Sequence, residues 1–298
     1  MISLRQINNQ IVRAIPIPDQ DTRPIKGFDI CEEVYANIFV CAKKNSGKTS
    51  ACFKIMKDCS VKNTVIIIFC STAYKDANWI EIIKYFEKKG MEVRVYTSIF
   101  EDGQDQLEKL IKDLRKEVKQ KEEENEDEEP QIDTCDSILQ NLAMMSSQGR
   151  PNGYTLPHNL EQEEEEEPKK KRKCKYQAPE YIIVFDDLSS ELKSQSLLSL
   201  LKFNRHFKTK LIISSQWLHD LLPESRKQID LFIIFKGFPE KKMQEIYKDC
   251  DSSVPFDVFY SVYKKATKKP YSFMYIDSRS DKFRCNFDKE FIIDHDDE

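Results

Sequence analysis

Residues Asn37 to Thr49 read NIFVCAKKNSGKT, and no other stretch constrains the fold as tightly. The apolar run Ile38-Phe39-Val40-Cys41 has the character of a buried strand. It leads directly into Ala42-Lys43-Lys44-Asn45-Ser46-Gly47-Lys48-Thr49, the G-x-x-x-x-G-K-[ST] spacing of a phosphate-binding loop with Ala42 in place of the first glycine. Ser50 to Cys59 can continue as a helix. Strand, loop and helix in that order predict an α/β fold with a phosphate site where the strand ends.

Each loop position has a chemical task. A loop wrapped on a triphosphate points successive backbone N–H groups inward, and Gly47 permits that path because it lacks a Cβ. The helix that follows presents its positive end to the phosphates. The expected ATP-binding residues are Ala42, Lys43, Lys44, Asn45, Ser46, Gly47, Lys48, Thr49 and Ser50. Among them Lys48 reaches the β- and γ-phosphates and the Thr49 hydroxyl ligates Mg²⁺. The plainer alternative is a Gly-Lys-Thr turn joining strand to helix; the flanking strand and helix favour phosphate binding.

Beyond the loop the chain alternates. Val65 to Cys70 (VIIIFC) reads as a strand buried on both faces. Trp79 to Lys89 reads as a helix stopped by Gly90, Val93 to Thr97 as a strand, and Leu107, Leu110, Ile111 and Leu114 as one helical face. The pattern stops near Val118. Residues 122–129 hold seven acids and 161–167 six, and the sign then reverses at Pro168-Lys169-Lys170-Lys171-Arg172-Lys173. Within this segment only Ile138 to Met145 offers an amphipathic turn. It buries too little apolar area to offset chain entropy, so 119–178 is expected to be a charged, mostly disordered insertion.

Regular pattern resumes at Tyr181. Expected elements are a strand to Asp187, a helix Glu191–Asn204, a strand Lys210–Gln216, a short helix Trp217–Leu222 and a strand Leu231–Phe235. Helices Pro239–Cys250 and Pro255–Ala266 follow, then a β-hairpin of Tyr271–Ile276 and Phe283–Phe287. Strands alternating with helices imply a mostly parallel sheet covered by helices on both faces. The domain reading is an N-terminal arm, 1–36, with one strand at Ile11–Ile17, and a single P-loop ATPase domain, 37–118 plus 179–298.

Composition narrows the class. The 298 residues allow one large α/β domain. A net charge of −4 gives no whole-chain nucleic-acid signature, so DNA contact would need local patches. Nine cysteines, odd in number and without C-x-x-C spacing, fit free thiols in a reducing compartment. MISLRQINNQ has no signal-peptide core, and no apolar run approaches bilayer length. A soluble intracellular protein without membrane contact is expected.

Ile182 to Asp187 places two carboxylates at the C-terminal end of a strand, where ligands bind in open α/β sheets. Asp186 is assigned to Mg²⁺ and Asp187 to activating the attacking water; the alternative is a solvated Asp-Asp turn. Gln216 ends the next strand and is either a γ-phosphate or lytic-water ligand or a surface amide. Arg205, before that strand, is either a trans-acting arginine finger or a helix C-terminal cation. Arg226 is a weaker candidate for the same finger. Lys208, Lys210, Lys264, Lys265, Lys268 and Lys269 either track a DNA backbone or form solvated faces. Residues 168–173 match a nuclear-import signal or a flexible charged loop.

At these residues the chain resembles the genome-packaging ATPases of the FtsK–HerA superfamily, in the branch of poxviruses, other large DNA viruses, virophages and Polinton-like elements. The segments that carry the resemblance are A-K-K-N-S-G-K-T, F-C-S-T-A-Y-K-D-A-N-W, I-I-V-F-D-D, N-R-H-F-K-T-K-L-I-I-S-S-Q and P-Y-S-F-M-Y-I-D. They span 30–118 and 180–290. The resemblance implies a RecA-like, ASCE-class domain that assembles as a homo-oligomer, a hexameric ring, and pumps double-stranded DNA into a preformed capsid at the expense of ATP. Capsid vertex or portal proteins would be its partners, in host cytoplasm (a viral factory) or nucleus. It carries Lys48, Thr49, Asp186, Asp187 and Gln216 into site roles and strengthens Arg205 as a trans finger. Two positions depart from the pattern: Ala42, and Asp187 where many members have Glu. Competing readings are a nucleotide-gated scaffold with little hydrolysis and a small-molecule or nucleotide kinase; the latter lacks an arginine-rich lid segment.

Overall fold

The computed structural model describes residues 21–127 and 174–293. The expected strand Ile11–Ile17, the turn at Ile138–Met145 and the basic run 168–173 lie outside the described residues. The chain divides into two compact units, one formed by residues up to Ser98 and from Cys174 onward, the other by residues 99–173.

In the first unit β1 (Asn37–Cys41), α1 (Lys48–Cys59), β2 (Val65–Cys70), α2 (Ala77–Lys88) and β3 (Val93–Tyr96) follow one another. The second unit begins with β4 (Phe100–Glu101), β5 (Gln104–Asp105) and α3 (Gln106–Asp127). The first unit then resumes with β6 (Tyr181–Asp186), α4 (Gln195–Lys202), β7 (Thr209–Ser215), α5 (Pro223–Arg226) and β8 (Leu231–Phe235). It closes with α6 (Glu240–Cys250), α7 (Phe256–Ala266), β9 (Phe273–Asp277), β10 (Lys282–Cys285) and β11 (Lys289–Glu290).

Among the described residues one sheet has the order β11-β10-β9-β8-β1-β7-β6-β2-β3. The six strands from β8 to β3 run parallel, and β9, β10 and β11 add antiparallel at one edge. This is an α/β architecture, a mostly parallel sheet that carries a C-terminal antiparallel hairpin. The hairpin strands β9 and β10 pair Ile276 with Phe283. Two strand-neighbour relations matter for the site. β7 stands between the P-loop strand β1 and the Asp-Asp strand β6, and β8 flanks β1 on the other side.

The central strands β1, β2, β6 and β8 are buried on both faces, which explains their apolar runs. Ile38, Val40, Ile66, Ile68, Ile182, Val184 and Ile212 join one core with Cys52, Ile55 and Met56 of α1 and Trp79, Ile82 and Phe86 of α2. The alternate residues, among them Phe39, Ile67, Phe69, Phe185 and Ile213, are fully buried too. There Phe69 stacks on Phe185 with ring centroids 5.0 Å apart. Each such Ile or Phe contributes about 1.5–3 kcal/mol on leaving water. The connections β6 → β7 → β8 cross the sheet in the direction opposite to β1 → β2 → β3, so right-handed crossovers place helices on both faces.

Local chemistry sets the helix ends. Asp76 caps α2 by accepting from Asn78 N at 2.8 Å, and Gly90 takes a left-handed φ of 70° after it. The helix expected from Glu191 starts later, at Gln195, because Ser194 caps it by accepting from Leu197 N at 3.1 Å. The short helix expected at Trp217–Leu222 is instead a 3-10 turn, Leu218–Asp220, followed by α5, which begins at Pro223.

In the second unit β4 and β5 form a small hairpin over Asp102-Gly103, both with positive φ. It was not expected from pattern, since two-residue strands carry no readable alternation. α3 runs on past Val118 to Asp127, into the acidic run. Lys112–Glu108, an i,i+4 pair at 2.8 Å, supports its exposed face. Among the described residues no helix is long and apolar enough to cross a membrane.

Candidate active site

The P-loop begins inside the sheet. Ala42 N donates to Ser215 O at 3.1 Å, extending the β1–β7 ladder by one residue, and the Ala42 methyl is fully buried in the core. Ala42 is not among the residues with positive φ. A glycine is therefore not demanded at this first position. The left-handed turns come later, at Asn45 (φ 60°) and Gly47 (φ 95°). Asn tolerates that region better than most side chains, and Gly tolerates it freely. Ser46 Oγ donates to Lys43 O at 2.7 Å and closes the turn. Gly47 provides no capping side chain for α1, so the N–H groups of the first helical turn have no side-chain cap and could serve an anion.

Lys48 and the Asp pair meet. Lys48 Nζ donates to Asp186 Oδ1 at 2.8 Å and also to Asp187 Oδ1. Asp186 ends β6 and is buried, 1 % exposed, while Asp187 is outside the strand, exposed, with a left-handed φ of 55°. The second oxygen of Asp186 accepts from the Trp79 indole Nε1 at 2.9 Å, and Trp79 is fully buried. Burial acts to lower the Lys48 pKa, but the two carboxylates outweigh it and the net shift is upward. Lys48 is thus a firm cation. Beneath it burial pushes the Cys52 thiol well above its usual range.

The donor set fits Mg²⁺. That ion takes hard oxygen ligands and is held by one or two carboxylates with substrate phosphates and water. Thr49 follows Lys48 in the first turn of α1, and Asp186 Oδ1 is the oxygen that Lys48 would vacate on turning to a phosphate. Asp187, Lys48, Thr49 and Ser50 line one cavity with Lys44 and Asn45.

Gln216, expected as the last residue of this strand, lies one residue beyond the end of β7 at Ser215. The register pairs Cys41 with Ser215, so Gln216 stands beside Ala42 at the mouth of the loop, with an exposed side chain. Arg205 is elsewhere. It is exposed in the turn before β7, and seven strand residues at about 3.3 Å each separate it from the P-loop end of the sheet by roughly 20 Å. It does not enter the site of its own chain.

Other expected cations are engaged. Arg226 pairs with Asp249 at 2.9 Å and is largely buried. Lys210 is not a surface cation: it is 1 % exposed and donates to Glu33 O at 2.7 Å, because its strand position faces the core. Lys208 pairs with Glu180 at 2.9 Å, and Lys264 lies 4.1 Å over the Tyr260 ring. Lys265, Lys268 and Lys269 remain exposed.

Two residues had no role from sequence. Trp79, the third residue of α2, closes the segment F-C-S-T-A-Y-K-D-A-N-W and reads as a helix residue with no assigned role, although a buried indole N–H needs an acceptor. Tyr271 was read as a strand residue. It precedes β9 with a left-handed φ of 61°, is 73 % exposed, and its ring lies against the P-loop, where a Cβ on Gly47 would stand 3.5 Å from Tyr271 Cδ1.

No protein-family model matches the chain, and no curated protein matches it. Solved structures do. The genome packaging NTPase B204 from Sulfolobus turreted icosahedral virus 2 in complex with AMPPCP is 17 % identical, over 85 % of this chain and 97 % of that one, with a TM-score of 0.46. The same NTPase with ATP-gammaS is 16 % identical, over 85 % and 96 %, at 0.41. The DNA-packaging ATPase B204 from Sulfolobus Turreted Icosahedral Virus is 16 % identical, over 84 % and 95 %, at 0.44.

Proposed function

We propose that this chain is an ATP-hydrolysing motor that translocates double-stranded viral DNA into a preformed capsid. The observation that carries the reading is the convergence of Lys48, from the P-loop helix, on Asp186 and Asp187 at the end of β6. A cation, a buried carboxylate and an exposed carboxylate at the C-terminal edge of a parallel sheet are the parts that phosphoryl transfer to water needs. Lys48 would leave the carboxylates for the β- and γ-phosphates. Asp186, still held by Trp79, would then anchor Mg²⁺ with Thr49, and Asp187 would polarise the lytic water. Gln216, beside the loop mouth, would hydrogen-bond the γ-phosphate or that water.

The motor part of the reading rests on the motif resemblance to FtsK–HerA packaging ATPases and on Arg205. An exposed arginine at the sheet edge opposite its own P-loop suits completion of a neighbour's site in a ring of like subunits, a hexamer. DNA and a capsid vertex or portal protein are the partners this reading implies.

The test is steady-state ATP hydrolysis by the full chain, with and without long double-stranded DNA, beside Lys48→Ala. Turnover that rises with DNA and disappears in the variant is the expected result. Turnover indifferent to DNA would remove the translocation claim. ATP binding without turnover would leave a nucleotide-gated scaffold.

A further inference from the structure

We propose that Lys242 is a positioning residue for hydrolysis: it clamps the turn after β7 through Trp217 and so holds Gln216 in place at the mouth of the phosphate loop. The inference rests on the ATPase reading above and adds to it the device that aims Gln216.

The Gln216 side chain is exposed and makes no hydrogen bond among the described residues. Its direction is therefore set by the backbone that carries it. That backbone leaves β7 at Ser215 and enters the 3-10 turn Leu218–Asp220. Two local contacts tie it down. Cys41 Sγ donates to Gln216 O at 3.9 Å, from the β1 side. Ser215 Oγ donates to Asp220 Oδ2 and accepts from Trp217 N at 3.4 Å, which closes the turn on itself.

α6 holds that turn from outside. Lys242 and Glu245 lie three residues apart and so share one face of the helix. Lys242 Nζ stands 3.6 Å from the centre of the Trp217 ring. Glu245 Oε2 lies 3.5 Å from His219 Nδ1. The Trp217 and His219 rings meet edge to face, with centroids 5.0 Å apart. Among the described residues Lys242 has no carboxylate partner, so the indole face is what its charge engages.

α6 is itself referenced to the phosphate loop. The link from β8 to α6 is pinned by one phenol: Tyr263 Oη accepts from Gly237 N and Phe238 N at 3.0 Å each and donates to Phe235 O at 3.1 Å. Gly237 has a left-handed φ of 111°, and a Cβ there would stand 3.3 Å from the Lys43 side chain. The link thus runs against the loop. Gln216 is tied to the loop twice, by the β1–β7 ladder and by the path through Gly237, α6, Lys242 and Trp217. Both ties matter for a group that must meet a γ-phosphate or a lytic water, since about 1 Å of misplacement can cost roughly 100-fold in rate.

The experiment is steady-state ATP hydrolysis by the full chain across ATP concentrations, for wild type, Lys242→Ala, Lys242→Arg, Gln216→Ala and the double variant Gln216→Ala with Lys242→Ala. Lys242→Ala should lower kcat by roughly 5-fold or more, the equivalent of about 1 kcal/mol for a half-buried cation–π contact. KM should stay within about twofold of wild type, because ground-state binding is untouched. Lys242→Arg keeps a cation on the indole and should restore kcat. The double variant should be no slower than Gln216→Ala alone, because coupled residues do not add. Labelling with 5-fluorotryptophan supplies a readout independent of turnover. The chain has two tryptophans, and the Trp217 fluorine NMR line, assigned with Trp217→Phe, should move in Lys242→Ala and return in Lys242→Arg. Wild-type kcat in Lys242→Ala, losses that multiply in the double variant, or a Trp217 line that does not move would overturn the positioning role and leave the ATPase reading intact. A wild-type chain without turnover would overturn both.

Discussion

Trp79 donates its indole N–H to Asp186 Oδ2 at 2.9 Å, and Lys48 holds the other oxygen of the same buried carboxylate at 2.8 Å. Both oxygens of Asp186 are therefore engaged, one by the buried indole and one by the lysine. In the proposed reaction only the oxygen held by Lys48 would be released to Mg²⁺, and Trp79 would keep the carboxylate in place.

Trp79→Phe keeps the ring volume in the core and removes the donor. It leaves a buried carboxylate oxygen without its partner, which costs about 1–3 kcal/mol. The expected kinetic effect is a higher Mg²⁺ concentration for half-maximal hydrolysis, with ATP binding in Mg²⁺ excess close to wild type. A Mg²⁺ titration of turnover checks this. An unchanged titration curve in a destabilised variant would reduce Trp79 to a core residue. Because the chain has two tryptophans, Trp79 and Trp217, a Trp217→Phe background makes indole fluorescence a direct report on Asp186.

Lys48→Ala should lower stability as well as abolish hydrolysis. It leaves two neighbouring carboxylates, one of them buried, without their cation, at a cost of about 2–3 kcal/mol for this partly exposed cluster. Adding Asp187→Asn should recover part of the loss. The pH dependence has a definite sign. The folded pKa of Lys48 is raised above its ordinary value of 10.5, so the stability it contributes is fully present below that value and is lost as pH rises through the folded pKa. Thermal melts of wild type and variant should therefore differ by a constant amount from neutral pH to about pH 10 and converge only above it.

Arg205→Ala should retain ATP binding and lose turnover, since the arginine lies at the far end of β7 from its own P-loop. Mixing it with Lys48→Ala should restore part of the activity. In mixed assemblies a Lys48→Ala subunit supplies Arg205 to a neighbour whose loop is intact. Mixtures no more active than either variant alone would sink the trans role.

Thiol reactivity should separate by burial. Burial pushes Cys41 up to about 12 and Cys59 up to about 11, and raises Cys52, Cys70 and Cys250 as well. Cys174 is exposed. In a Cys135→Ser background the remaining thiols are the eight described ones. Ellman's reagent at pH 8 should then show one fast thiol that Cys174→Ser removes. Several fast thiols in the native chain would mean that the α1 core is not closed.

The site was half legible from sequence. Lys48, Thr49, Asp186 and Asp187 could be read because their chemistry depends on positions close in sequence: a loop between strand and helix, and two acids at a strand end. Gln216 could be placed at a strand end but not beside Ala42, because that needs the β1–β7 register. Trp79 could not be placed against Asp186, nor Tyr271 against Gly47, since each contact crosses a strand order that no local pattern encodes. Arg226 and Lys210 were open as functional cations because sequence shows charge and not the partner. Asp249 and the Glu33 carbonyl occupy them.

What the sequence determined by itself is the set of elements and the reactive types at their ends. Hydrophobic period, turn residues and loop spacing are local, and they act on the chain before it folds. What only the tertiary structure decided is neighbourhood: β7 between β1 and β6, Trp79 on Asp186, Tyr271 over Gly47, and Arg205 at the edge away from its own P-loop. The physical reason is that strand order arises from burying both faces of one sheet at once. That optimum is reached over residues nearly two hundred positions apart, as for Asn37 and Asp230, whose backbone and carboxylate meet at 2.8 Å.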